Sequence, residues 1–202
     1  MKKHERQILI FSVVFPLYLF LLSFLARQFL AQLSFSTIGE KGLLSSVTYD
    51  SGNATYAYLL GRFYQYNIER PDLNKSILYY RKSLRASPLQ GGCWLDLSHT
   101  YQISGMTENA GKALKRAVKL DSENPGVMWE AGLFHLINGD IGESFKNLRK
   151  FILLKPEKQN DVYDMIWKLP VDASYVLRHL VPDSYPFYKS RIFSSKKNMG
   201  FW

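Results

Sequence analysis

The sequence predicts an all-α chain: one apolar N-terminal helix, a short solenoid of helix pairs, and a helical cap. The first sign is a period. Pro88, Ser122 and Pro156 stand 34 residues apart, as do Ser76, Ala110 and Ser144, then Tyr80, Leu114 and Leu148, then Ser83, Ala117 and Phe151. A fixed period of that length with small residues inside it marks stacked helical units, each too small to bury its own apolar face alone. The second sign is that Ile8 to Ala26 carries no charged side chain. The third is punctuation: Gly105 and Gly139 fall at turns, and Pro88 and Pro156 fall where second helices should stop.

Residues 1–35 read as a cytoplasmic stub and a transmembrane signal anchor. The uncharged run holds 19 residues, roughly 28 Å of helix and close to the thickness of a bilayer's hydrocarbon core. Pro16 sits inside it, which membrane helices tolerate. A cleaved leader would have a shorter apolar core and a small-x-small site. Here Phe24 precedes Ala26 and Phe29 precedes Ala31, so neither alanine fits. Lys2, Lys3 and Arg6 before the span outweigh Arg27 after it. That bias keeps the N-terminus in the cytoplasm and puts the repeats outside, in the periplasm of a Gram-negative bacterium. Residues 28–35 extend the anchor helix or lie at the interface.

Residues 36–53 contain Gly39, Gly42, Ser45, Ser46, Ser51 and Gly52 and read as a linker or a loose first layer. Three helix pairs are expected over 54–156. The clearest has Trp94, Leu97, Ser98 and Tyr101, a turn at Gly105, then Ala110, Leu114 and Ala117. The next has Met128, Ala131, Gly132 and His135, a turn at Gly139-Asp140, then Ser144, Leu148 and Phe151. The first has Leu60-Gly61 and Tyr64, then Ser76, Tyr80 and Ser83. Its turn is longer, since Gly61 to Pro88 spans 27 residues against 24 from Gly132 to Pro156. The extra residues fall at Ile68-Glu69-Arg70-Pro71-Asp72, where a proline and a capping aspartate ease an insertion. Trp94 is expected as a large buried aromatic, Cys93 as a small buried hydrophobe, and Ala117 at a close helix crossing.

These blocks resemble the tetratricopeptide repeat. In that family the first helix carries Trp, Leu, Gly and Tyr, and the second carries Ala, an aromatic or Leu, and Ala. The chain departs from it at Ser122, where the family has Pro, and at His135, where it has Tyr. The resemblance implies a non-catalytic protein-binding scaffold.

Residues 157–202 read as capping helices and a basic aromatic tail. Asp161 should cap a helix through about Leu169, stopped by Pro170. A second runs from Ala173 to Leu180 and a third from Asp183 to about Phe193. Tyr163, Trp167, Leu177, Arg178, Pro182 and Asp183 resemble a segment of larger bacterial membrane-anchored tetratricopeptide proteins, some tied to polysaccharide export and polymerisation. That resemblance implies an accessory role in cell-envelope polysaccharide synthesis as one alternative.

The net charge is +9, with +3 from residues 1–27 and +6 from the rest. Along the sequence the basic residues look scattered through the helices, so nucleic acid is not the expected partner. His4, His99, His135 and His179 lack metal-ligand spacing, Gly91-Gly92 lacks a following Lys-Ser/Thr, and no G-x-S-x-G is present. No cofactor, small-molecule substrate or catalytic residue is therefore expected. Cys93 is the sole cysteine, so no internal disulfide forms.

Carried over from the family, the concave groove is lined by first-helix positions: Tyr58, Arg62, Gln65 and Tyr66, then Leu95, His99 and Gln102, then Trp129, Leu133 and Leu136. The first set offers an arginine, an amide and two phenols, suited to an acidic or extended peptide. Trp129 is expected beneath the terminal helices. In the tail, Lys189, Arg191, Phe193, Lys196, Lys197, Phe201 and Trp202 interleave basic and aromatic groups, which suits anionic headgroups or a partner. The expected partners are one or more proteins, including a membrane complex of which the chain could be a structural subunit, and the membrane through residues 8–26.

Overall fold

The structure, a computed structural model, describes residues 3–36 and 39–182, with side chains from Ser12 onward. Among the described residues it is helical with no strand. The chain divides after Met106 into two compact units.

The first unit opens with α1, Lys3–Phe35, which contains Pro16. Its stretch Ser12–Phe35 has a mean hydropathy of 1.8 and is unburied over its apolar window. It is long and apolar enough to cross a membrane, a test that a signal sequence near an N-terminus also passes. The end of α1 is integral to the unit. Ala31 is fully buried with Val47, Tyr56, Leu60 and Tyr64. Ser46 donates to the Ala31 carbonyl at 3.0 Å, and Tyr56 donates to Gln32 Oε1 at 3.1 Å.

Of the two readings of 36–53, linker or loose first layer, the second is closer: the segment contains α2, Glu40–Tyr49. The small residues that suggested a loop mark close approach: Gly42 and Ser46 are both buried. Next come α3, Ala54–Tyr66, and α4, Leu73–Ala86. Asn53 caps α3 by accepting from the Thr55 N–H, and Asp72 caps α4 by accepting from the Lys75 N–H. A Cβ on Gly61 would fall 2.6 Å from Tyr80 Cδ1, so only glycine allows this crossing. Ser83 donates to the Ala54 carbonyl at 2.8 Å. The inserted loop folds locally: Asn67 Oδ1 accepts from the Glu69 and Arg70 amides, and the Asp72 amide donates to the Tyr64 carbonyl. The unit closes with α5, Gly91–Ile103. Trp94 is half-buried rather than deep in the core, because its indole N–H reaches out to the Pro88 carbonyl at 2.8 Å. Cys93 is buried, as expected.

The second unit runs through α6, Thr107–Leu120, α7, Pro125–Ile137, and α8, Ile141–Leu154. Ala117 is fully buried. Gly132 lies under Leu148, where a Cβ would come within 2.6 Å of Cδ2. Ser144 donates to the Gly132 carbonyl at 2.8 Å. Gly139 takes φ of 79°, which glycine adopts without strain. A 3₁₀ turn, Pro156–Lys158, leads directly into α9, Gln159–Ile166. This helix therefore starts before Asp161 and stops short of Leu169. The last described helix is α10, Ala173–His179, capped by Asp172. Together α8, α9 and α10 bury Phe145, Leu148, Val162, Ile166, Val176 and Leu180 in one cluster, with Trp129 packed against it. The Trp129 and Phe151 rings meet at 5.1 Å. The tail from Asp183 onward, with its expected helix and its basic and aromatic residues, lies outside the described residues.

Candidate functional site

Tyr58, Arg62 and Tyr66 recur every four residues on α3, so they share one face of it. Arg62 is half-exposed. Its guanidinium carbon lies 5.8 Å from the Tyr58 ring centroid and 5.4 Å from that of Tyr66. A cation between two aromatic rings is held electrostatically and loses little freedom on binding.

Asp96 on α5, which the sequence reading passed over, completes the group. Tyr58 donates to Asp96 Oδ2 at 2.8 Å. Arg62 Nε lies 3.7 Å from the same oxygen. Burial pushes the Tyr58 hydroxyl up to about 12, with the Asp96 hydrogen bond acting in the same direction. Burial also holds the Asp96 carboxyl above its ordinary value, against the opposing pull of Tyr58 and Arg62.

Gln65 does not line an open surface. It is 7% exposed, accepts a short hydrogen bond from Tyr80, and lies 3.4 Å from His99 Nδ1 through its amide nitrogen. Tyr80 itself is fully buried. His99 is exposed, and Gln102 lies half-buried one turn further along α5. The structure thus brings Tyr58 and Arg62 of the expected residues onto Asp96, with Tyr66 beside Arg62 and His99 beside Gln65. The missed signal was the period itself. Arg62 and Asp96 are 34 residues apart, and so are Gln65 and His99. Polar groups at matching positions of α3 and α5 face each other.

A second feature was invisible in the sequence. The inserted loop, Glu40 and Tyr64 border a cleft of about 660 Å³. Tyr64 donates to Glu40 at 2.6 Å. The Lys75 ammonium sits 4.8 Å above the Tyr64 ring and 3.5 Å from Asp72. Among the described residues, no three His, Cys, Asp or Glu side chains gather where they could hold a metal.

The described residues form a helical-repeat fold. Residues 92–124 match the tetratricopeptide repeat family model. Among solved structures, one of MamA is similar with a TM-score of 0.52 at 18% identity, covering 59% of this chain and 68% of that one. A second MamA structure gives 0.50 at 17% identity, covering 65% and 67%. These likenesses establish the fold. No curated protein sequence matches the chain.

Proposed function

We propose that this chain is a membrane-anchored scaffold that recruits a protein partner to the envelope of a bacterial cell, and that it is not an enzyme. Tetratricopeptide-type folds bind proteins, and the observation that carries the reading here is Arg62. It is half-exposed, held between two phenols, and only partly neutralised by Asp96 at 3.7 Å. Such a guanidinium offers a fixed fork to a carboxylate or carbonyl arriving from outside.

Loss of a central Arg or Tyr anchor costs about 2 kcal/mol or more of binding. Arg62→Ala with Tyr66→Ala should leave the fold intact, since both side chains are exposed, and should strip partners from the protein purified out of native membranes. If partners stay bound to that variant but deletion of residues 184–202 releases them, the tail is the interface and the chain is a subunit of a larger complex.

The membrane reading is supported by the apolar exterior of α1. Retention of α1 is supported by its buried end, because removal of a leader through Ala31 would open the core at Tyr56 and Ser46. The basic residues before the span orient the N-terminus to the cytoplasm. A reporter active only in the cytoplasm, fused after Trp202, should be silent; a strong signal would reverse the topology.

A further inference from the structure

The basic residues that look scattered along the sequence are segregated by helix. The first helices α3, α5 and α7 each carry one Asp, Glu, Lys or Arg: Arg62, Asp96 and Glu130. The second helices α4, α6 and α8 hold eleven basic residues against Glu108 and Glu143, which equals the chain's whole net charge of +9. Two positions are basic in every repeat: Arg81, Lys115 and Arg149, then Lys82, Arg116 and Lys150.

On α4 and α6 the exposed ones point away from the core. On α4, Arg81 and Arg85 are exposed opposite buried Ser76, Tyr80 and Leu84. On α6, Lys112, Lys115, Arg116 and Lys119 form one exposed stripe at helical spacing, opposite Ala110, Ala113, Leu114 and Ala117. Lys112 is satisfied by Glu108. Arg81, Arg85, Lys115, Arg116 and Lys119 have no ion-pair partner among the described residues. Like charges stacked along a helix repel, so the stripe is a standing cost that an anionic surface would relieve.

We infer that the outer face of α6 is a second docking surface, for an acidic protein surface.

The test uses the full chain in phosphatidylcholine nanodiscs with a poly-glutamate peptide as probe. Lys115→Gln, Arg116→Gln and Lys119→Gln together should weaken binding about tenfold. A control that removes equal charge elsewhere, Lys41→Gln, Arg70→Gln and Lys168→Gln, should bind as the parent does, and the stripe substitutions should cause the same fold loss when made in an Arg62→Ala background. The latter result separates this surface from the α3–α5 face. Equal weakening by stripe and control variants would reduce the effect to net charge and overturn the proposal. So would stripe-dependent binding to phosphatidylglycerol vesicles or duplex DNA with none to poly-glutamate.

Discussion

Cys93 shows how burial decides the chemistry of one side chain. It is 2% exposed, and its Sγ lies 3.7 Å from the Tyr80 carbonyl. Burial pushes its thiol up to about 12, although a contact with Ser83 works the other way. The thiolate is the reactive form, so at pH 8 Ellman's reagent should label Cys93 only after denaturant is added. Rapid labelling of the folded protein would mean that α5 does not pack as described. Its burial was legible from the sequence, because a lone cysteine inside a helical apolar pattern is usually core. Asp96, three residues on, was not legible. It lies between Leu95 and Leu97 and gains meaning only from Tyr58 and Arg62 on another helix. Reading polar residues at the 34-residue offset would have found it.

Helix pairs were the most legible level, because small residues recurred where second helices approach first helices. Gly61 under Tyr80 and Gly132 under Leu148 bear this out. Gly61→Ala should cost about 1–3 kcal/mol, since the ring it meets is fully buried and cannot retreat. Urea unfolding of the full chain in detergent measures this, and an unchanged midpoint would refute the α3–α4 crossing. The same cue was ambiguous in one place. Gly42 and Ser46 suggested a linker because small residues serve loops and close contacts alike, and only the partner helix α1 tells them apart. The start of α9 was misplaced, because a 3₁₀ turn from Pro156 feeds the helix without a side-chain cap.

At the scale of the molecule, the fold class followed from periodicity, whereas the docking faces depended on which polar groups folding brings together. One proposed face is the clamped arginine of α3 and α5; the other is the basic exterior of α6. The most direct test of the scaffold reading is site-specific photocrosslinking in native membranes. Benzoylphenylalanine replaces Tyr66, half-exposed beside Arg62, or Asn160, exposed on α9. The account predicts a discrete light-dependent adduct with a protein at position 66, lost when Arg62→Ala is added, and none at position 160. No adduct at 66 from a folded, membrane-embedded chain, or equal adducts at both positions, would contradict it.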